Sequence, residues 1–498
     1  MINFLIWAPL AGGLLAALLP RGASRWPALL GSLAALALAI VVVWDFDPSG
    51  GLQQTVDESW IPDLGVRYQL GVDGISVFLV LLTALLWFAA AAWSALRQPE
   101  RAGTWFLMLG LAESATLGAF CAQDLLLFVL FFDLMLIPFY FLFGSWGEPS
   151  GEGLERVLPG RATIKMIVYT LVGSLLMLVG AIATAILSSN ETGGELSFSI
   201  SQLASQPLGE GSQDWIFWFF AAAFLVKMPA FLIHGWMPDA YRIAPLPALA
   251  VFSAVLSKVA AYGFLRIVLP LFPDAAIEFQ ELLMLIALAS ILYGSVMAFT
   301  QTNARLVAGY SSMAQLGFIT LGIFTLRPDG ADGAVLQMVN HGLVVAPLLL
   351  IFVVLAERAG SDDIARMGGL AFRAPVLAAM FLIVTMALLA IPGSANFIGE
   401  LYILFGAFES KIAIAIVASL GVALAAYYAL RLFQAAMHGR RREAESREIG
   451  WREGAILGGL VACIVALALY PQLVLKRADQ SVETQLSGIS REAEVASR

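Results

Sequence analysis

WIFWFFAAAFLVKMPAFLIHGW, residues 215–236, is the most informative stretch of this sequence. It is as long as the roughly 20 apolar residues with which a helix crosses the bilayer core. Lys227 nevertheless stands inside it, and Pro229 follows two residues later. A charge at that depth costs about 2.5–3.5 kcal/mol on insertion scales, so it is a functional hypothesis by default. Because proline removes a backbone hydrogen bond, we expect the helix to break beside the lysine.

The composition extends this membrane character to the whole chain. Of its 498 residues, 60% are hydrophobic and only 13% are charged, and the mean hydropathy is +0.85. A water-soluble domain is close to half apolar and one quarter charged, so that class is excluded. The first apolar stretch, 2–19, has no basic segment before it, and we expect it to be a retained helix. The lipid bilayer is therefore the expected surroundings.

Several kinds of function are disfavoured by what the sequence contains. The net charge of -8 gives no basic footprint for nucleic acid. The two cysteines, Cys121 and Cys463, are too few for an iron–sulfur cluster and too far apart to suggest a metal knuckle. Neither glycine-rich nucleotide-binding pattern is present. We therefore expect no cofactor and no metal on this chain.

The apolar runs predict an all-α polytopic protein of about fourteen transmembrane helices. The predicted helices lie near 2–19, 27–45, 73–96, 103–121, 123–144, 163–188, 214–237, 245–269, 278–300, 306–326, 332–356, 374–406, 412–436 and 452–473. The seventh should break at Pro229 and the twelfth at Pro392-Gly393, each beside a charged residue. Two breaks five helices apart indicate two five-helix repeats, and an odd number of spans makes the repeats inverted.

The domain boundaries follow from this repeat. We expect three N-terminal helices with a periplasmic loop (1–102), a first repeat (103–270), a second repeat (271–437), and a last helix with a tail (438–498). Basic residues collect in alternate loops, for example Arg97, Arg101, Arg305, Arg358 and 440–442. Because such residues favour the cytoplasmic side, both termini should face the periplasm. The tail after Val474 is expected to be a short polar segment.

Seven ionisable residues are candidates for function because they lie within or beside apolar stretches. They are Glu113, Asp133, Lys227, His234, Lys258, His341 and Glu400. Lone charges near helix ends often extend to the interface instead, but Lys227 and Lys258 lie too deep for that. His341 is either a proton relay or a packing histidine, and Glu113 either a proton site or a partner of a neighbouring helix. His234, beside Trp236, is a relay, a gate or a structural residue.

An acid and an amine buried close together can exchange protons. At about 4 Å and an effective dielectric of 20, they attract by roughly 4 kcal/mol. Moving one charge against about 180 mV costs roughly the same, at about 2.3 kcal/mol per 100 mV. Separating such a pair would therefore release a proton with enough energy for a pump.

Motifs spread over most of the chain resemble the antiporter-like subunits of respiratory complex I, the NADH:quinone oxidoreductase. They are LGVDGISVFLVLLT (70–83), FFDLMLIPFYFLFGSWG (131–147), KMIVYTLVGSLLML (165–178), VKMPAFLIHGWMPDAYRIAP (226–245), LSKVAAYGFLR (256–266), RLVAGYSSMAQLGF (305–318), VNHGL (339–343) and IPGSANFIGELYILFG (391–406). The glutamate at 400, where two other types carry lysine, makes the M type the most similar.

The resemblance implies roles for five residues. Lys227 is the pumping lysine, Asp133 stands at the position of its paired acid, and Lys258 and His341 bridge to Glu400 near an exit. The family usually has glutamate at the position of Asp133, so this side chain is shorter by about 1.5 Å. A direct contact to Lys227 would then become water-mediated. Asn303 also departs from the family, which commonly has aspartate there.

The resemblance also implies an assembly. Flavin, iron–sulfur clusters and quinone are expected in partner subunits. The expected membrane-arm partners are of the L, N, H, K, A and J types, in the inner (plasma) membrane. The chain would then be part of an enzyme without redox chemistry of its own. The alternatives are an Mrp-type cation/proton antiporter subunit, a membrane subunit of a hydrogenase-type complex, and a non-conducting scaffold. Lys227, Lys258 and Glu400 argue against the scaffold.

Overall fold

The computed structural model describes residues 1–151, 156–438, 447–487 and 489, and they form a helical bundle. Among these residues, eleven helices are long and apolar enough to cross a membrane. They are Arg25–Asp45, Val77–Arg97, Ala102–Cys121, Leu125–Trp146, Pro159–Thr192, Leu246–Leu271, Gln280–Thr300, Ala304–Phe324, Pro328–Ala359, Ile412–Met437 and Trp451–Leu469. The predicted all-α membrane fold is confirmed.

The predicted count of fourteen is not confirmed by helix length and composition. The first helix, Ile2–Leu18, is short, and the predicted seventh and twelfth helices are each divided. The seventh consists of Glu210–Lys227 and Met237–Ile243. The twelfth consists of Pro375–Leu388 and Ala395–Ser410. Both breaks lie where proline and glycine predicted them.

Three helices form the centre of the bundle. Leu246–Leu271, Ala304–Phe324 and Pro328–Ala359 are buried on all sides, whereas Arg25–Asp45 and Trp451–Leu469 are mostly exposed. Other helices of the bundle therefore cover the three central helices on every side. Polar groups on the three central helices are therefore shielded from lipid by protein. Irregular backbone at membrane depth is tolerated where protein buries it or where it lines a water-filled cavity.

The loop predicted before the third helix contains a β-hairpin that the sequence analysis missed. Its strands, Gln53–Ile61 and Val66–Val72, are antiparallel, and a short 3-10 helix, Pro62–Leu64, joins them. Gly65 follows with φ +66, a conformation that glycine adopts without strain. The hairpin is fixed to the bundle because the Arg67 amide donates to the Asp124 carboxylate at 3.0 Å.

The C-terminal segment, expected as a short polar tail after Val474, is helical. The helix Gln472–Leu486 buries an apolar stripe on one side, and that burial stabilises it. This helix packs closely against Gly74, where a Cβ atom would overlap the Arg477 carbonyl oxygen. The Gly74 amide donates to Ser481 Oγ at 3.0 Å. Short helices Ile200–Ser205 and Pro273–Glu278 complete this region. We call this side the hairpin face.

The opposite side carries the ion pairs of several arginines, and we call it the arginine face. Arg97 pairs with Glu357 at 2.7 Å and with Glu453 at 2.9 Å. Arg305 pairs with Asp362 at 2.8 Å and also donates to the Ala244 carbonyl. The predicted basic residues 440–442 lie outside the described part of the chain. The short helix Ile364–Arg366 also belongs to this side.

Candidate functional site

Lys227 is the last residue of the helix Glu210–Lys227 and lies in the interior of the bundle. Its side chain is only 6% exposed. The ammonium donates to the Phe132 carbonyl at 3.1 Å and lies 3.9 Å from the centre of the Phe132 ring. A carbonyl and the face of an aromatic ring both stabilise a cation, and so does the C-terminal end of a helix. These contacts favour the protonated amine, whereas burial disfavours it.

Asp133 lies near Lys227 without pairing with it directly. The two side chains interact electrostatically, but among the described ion pairs none joins them within 4.0 Å. The carboxylate is half-buried, and its Oδ1 has no hydrogen-bond partner among the described residues. It lines an apolar lateral groove of about 890 Å³. The acid thus stands between the lysine and the surface of the bundle.

Lys258 is completely buried in the helix Leu246–Leu271. Two π-helical segments, Phe252–Leu256 and Phe264–Val268, flank its turn. Such wide turns occur frequently at functional sites. The ammonium donates to the Ser253 carbonyl at 3.0 Å and to Ser257 Oγ at 3.4 Å. The Lys258 ammonium is thus held by neutral oxygens.

A cluster of hydroxyl groups beside Lys258 was not found from the sequence. Tyr241 donates to Ser253 Oγ at 2.7 Å, and Ser253 Oγ lies 3.4 Å from Ser312 Oγ. All three side chains are buried. Hydropathy does not single out serine or tyrosine in a membrane helix, so only the packing of three separate segments reveals the cluster.

His341 lies in the central helix Pro328–Ala359 and is completely buried. It interacts electrostatically with Lys258, whose helix packs against its own. Neither ring nitrogen has a hydrogen-bond partner among the described residues. Buried polar atoms are normally paired with protein or ordered water. Both ring nitrogens are therefore available to exchange a proton with another group.

Glu400 lies in the second turn of the helix Ala395–Ser410, just after the second break. It is 3% exposed, and its Oε1 accepts from Gln315 Nε2 at 2.7 Å. Gln315 Oε1 in turn accepts from Gln337 Nε2 at 2.7 Å. Glu400 Oε2 and the nearby Tyr428 hydroxyl have no partner among the described residues. A chain of amides thus holds one carboxylate oxygen and leaves the other free to carry a proton.

Further amides surround the second break. Asn340, next to His341, donates to the Ala395 carbonyl at 2.6 Å. Asn396 is completely buried, and neither of its side-chain polar atoms has a partner among the described residues. The region between His341 and Glu400 therefore contains polar amide groups. The sequence analysis did not identify these amides.

Glu113 and His234 have surroundings of their own. Glu113 is 2% exposed, and Ser32 Oγ on the second helix donates to it at 3.1 Å. His234 lies in the segment after Lys227, half-buried, with its ring 4.9 Å from that of Tyr293 and 6.4 Å from that of Tyr310. Both residues are thus tied to neighbours other than the two lysines.

The described residues contain no group of three or more His, Cys, Asp or Glu side chains placed to hold a metal ion. Cys121 and Cys463 are both free. The ionisable Lys, Asp, Glu and His side chains described above can bind and release protons.

Comparison with known proteins identifies the family. Residues 122–425 match the family described as NADH:quinone oxidoreductase/Mrp antiporter, TM. The NADH-quinone oxidoreductase subunit M of Rhodobacter capsulatus is 35% identical over 493 residues, which cover 95% of this chain and 94% of the relative. The predicted similarity to the M type is thereby confirmed.

Solved structures agree with this assignment. A chain of respiratory complex I from Thermus thermophilus with bound NADH superposes with a TM-score of 0.87 at 30% identity, covering 98% of this chain and 100% of the other. A chain of the Mrp complex from Dietzia sp. DQ12-45-1b has a TM-score of 0.84 at 23% identity, with 98% of each chain covered, and shares the fold. The chain therefore belongs to the NADH:quinone oxidoreductase/Mrp antiporter family.

Proposed function

We propose that this chain carries protons across the membrane for a respiratory NADH:quinone oxidoreductase, along five groups that follow one another in the bundle. They are Asp133, Lys227, Lys258, His341 and Glu400. The observation that carries the proposal is that both broken helices present a buried ionisable side chain, Lys227 and Glu400. Lys258 and His341 lie buried on the central helices between them.

The driving step is a change in the electrostatic stabilisation of protonated Lys227. A nearby carboxylate stabilises the protonated lysine by up to roughly 4 kcal/mol at an effective dielectric of 20. Asp133 interacts with Lys227 without a direct ion pair, so a small displacement of either helix changes this stabilisation. When the acid moves away or is protonated, Lys227 loses its proton toward Lys258. His341 and Glu400 then pass it toward the exit.

The partners supply the redox chemistry. Quinone reduction takes place in other subunits, which hold the flavin, the iron–sulfur clusters and the quinone, and this chain binds none of them. The membrane-arm partners are of the L, N, H, K, A and J types. The relatives named as subunit M support this assembly, and the lateral groove at Asp133 offers a surface at which an adjoining subunit can sense or move a proton.

The orientation and the division of the chain belong to the same proposal. The arginine face lies toward the cytoplasm of an inner (plasma) membrane, and the hairpin face, with both termini, toward the periplasm. The arginines at 97, 305 and 358 support this orientation, because basic residues favour the cytoplasmic side. The units 1–102, 103–270, 271–437 and 438–498 are the N-terminal helices, the two inverted repeats and the last helix with its tail.

Two residues remain outside this path. Glu113 is hydrogen-bonded to Ser32, and its role as a proton site stays a prediction. His234 packs on Tyr293, and its role as a relay or gate also stays a prediction.

The 23% identity to the Mrp complex supports a shared fold alone. Identifying the subunits that copurify from native membranes separates the Mrp-type and hydrogenase-type alternatives, because NADH-oxidising partners are expected only for the proposed function.

The direct test replaces Lys227. We expect Lys227→Ala to abolish NADH-driven proton pumping in membrane vesicles while the complex still assembles, because the variant removes the buried amine. Lys411→Ala is the matched control, since Lys411 forms an exposed pair with Glu281 at 3.2 Å and exposed pairs contribute little. Its pumping should be normal. Undiminished pumping by Lys227→Ala would falsify the proposal.

A further inference from the structure

A buried aspartate on the hairpin face is not paired with a base. Asp332 lies in the second turn of the central helix Pro328–Ala359 and is 6% exposed. Among the described ion pairs, none joins it to a lysine, an arginine or a histidine, and its Oδ1 has no hydrogen-bond partner among the described residues. Because an ionised carboxylate is costly to bury without a partner, Asp332 needs another source of stabilisation.

The hydrogen-bond partner of the Asp332 carboxyl is a second carboxyl, that of Asp479 in the C-terminal helix Gln472–Leu486. Asp479 comes four residues after Leu475 and three before Val482, and both of these residues are buried in the apolar stripe. Residues at these spacings share one face of a helix, so Asp479 is on the side that packs against the bundle. Since an ionised carboxylate only accepts hydrogen bonds, the bond between the two carboxyls requires one proton.

The charges around this pair work against a second ionised carboxyl. The groups that act electrostatically on Asp332 are all acids, and they are Asp329, Asp479 and Glu483. The nearest bases along the same two segments form no described ion pair, and they are Arg327, Lys476 and Arg477. Without the shared proton, four negative charges would lie on two adjoining helices, and like charges at close range repel.

The two helices differ in how firmly they are held. The start of the central helix is packed closely, because a Cβ atom on Gly330 would overlap Thr325 Oγ1 and one on Gly333 would overlap the Ile403 amide nitrogen. Tyr402 also contacts Gly333 and is the titratable group on that side. The C-terminal helix has only 15 residues, and a helix of that length is marginal without its packing. Repulsion between the two carboxylates would therefore displace the C-terminal helix.

We propose that Asp332 and Asp479 bind one proton between them and that this proton clamps the C-terminal helix to the start of the central helix. The clamp is closed while the proton is bound and opens when a rise in pH removes it. Asp332 precedes His341 by nine residues, about 13 Å along the helix, so this proton is held apart from the five groups of the proposed function. The inference goes beyond that function and does not depend on it.

The experiment measures hydrogen exchange of the backbone amides of Gln472–Leu486 in the complete, solubilised complex at about pH 6 and about pH 9. An isolated aspartate titrates at about pH 3.9, so ordinary acids stay ionised over this range. After correction for the intrinsic pH dependence of exchange, protection of this helix should fall on the order of tenfold at the higher pH, since a hydrogen bond to a charged group contributes at least that factor.

Asp332→Asn should keep the helix protected at both pH values, because an amide donates to the Asp479 carboxylate without a bound proton. Asp479→Asn makes the same test from the exposed side and carries it if Asp332→Asn does not assemble. The matched control is Asp63→Asn, which replaces an exposed acid in the 3-10 turn of the hairpin and should leave the pH dependence unchanged.

The clamp is overturned if the unmodified complex is equally protected at both pH values, or if the asparagine variants at 332 and 479 keep its pH dependence. Loss of NADH-driven pumping by an assembled Asp332→Asn complex also overturns it, because Asp332 would then pass protons on instead of holding one. The exchange measurement does not require pumping, so the result for Lys227→Ala decides the proposed function separately.

Discussion

The two broken helices place opposite charges in opposite kinds of surroundings. Lys227 ends its helix against the Phe132 ring and a single carbonyl. Glu400 begins the second turn of its helix at the end of an amide chain through Gln315 and Gln337. Each charge lies near the helix end whose dipole favours it. The neighbours of Lys227 and those of Glu400 differ, however, in the hydrogen bonds that they can form with the neutral side chain.

The neighbours make Lys227 a sensitive site, whose protonation depends on nearby charge, and Glu400 a tolerant site, whose neighbours accommodate both protonation states. A carbonyl and an aromatic face interact favourably with a cation, and neither can donate a hydrogen bond to the neutral amine. An amide both donates and accepts, so the surroundings of Glu400 can serve the carboxylate and the carboxylic acid alike. We infer that Lys227 responds steeply to a distant charge such as Asp133, whereas Glu400 holds or releases a proton with little reorganisation.

Apart from the replacements of Lys227 itself, the largest effect is expected at the tolerant site, Glu400. Glu400→Gln keeps the shape of the side chain but cannot exchange a proton, so we expect NADH-driven pumping to fall by roughly 10²-fold, the scale of a lost proton-transfer group. Pumping in vesicles measures it. Glu409→Gln, an exposed position on the same helix, serves as the control. Normal pumping by Glu400→Gln would remove this residue from the path.

An intermediate effect is expected for the amide chain. Gln315→Leu leaves Glu400 Oε1 and Gln337 Nε2 without their partners, and each unpaired buried group costs about 1–3 kcal/mol. We expect a lower yield of assembled complex and slower pumping by what assembles. Gln280→Leu, which removes hydrogen bonds of a partly buried glutamine to Thr325 and Ser410, is the comparison. Equal behaviour of the two variants would contradict a special role of the amide chain.

The smallest effect is expected at the sensitive site. Phe132→Leu removes the aromatic face but keeps the backbone carbonyl, so the protonated lysine loses about 1 kcal/mol of stabilisation. Proton loading should weaken by roughly fivefold, since about 1.4 kcal/mol corresponds to a factor of ten. Pumping should therefore be slower at neutral pH and recover as the pH on the loading side is lowered. A rate that is independent of pH would speak against the aromatic contact.

The sequence was sufficient for features that depend on local composition. Apolar length predicted the helices, and Pro229 and Pro392 predicted the two breaks, because both properties act within a few residues. The depth of Lys227, Lys258 and Glu400 followed from the same runs, and the structure buries all three. Their roles in proton transfer stay predictions.

Features that depend on packing between distant segments were missed. The hairpin Gln53–Ile61 and Val66–Val72 lies in a segment that hydropathy treats only as a loop. The hydroxyls of Ser253 and Ser257 and the amide of Gln315 are neutral, so they leave no mark in a charge or hydropathy profile. Their importance comes from the side chains that they meet, and sequence spacing does not specify those contacts.

The most direct test of the buried proton path is proton pumping by the assembled complex that carries Lys227→Arg. Arginine keeps the positive charge and can reach the same carbonyl and ring, but it does not release its proton under these conditions. We predict an assembled complex with no NADH-driven pumping, as for the alanine variant. Pumping at the rate of the unmodified complex would show that Lys227 serves as a fixed charge and that protons cross the membrane elsewhere.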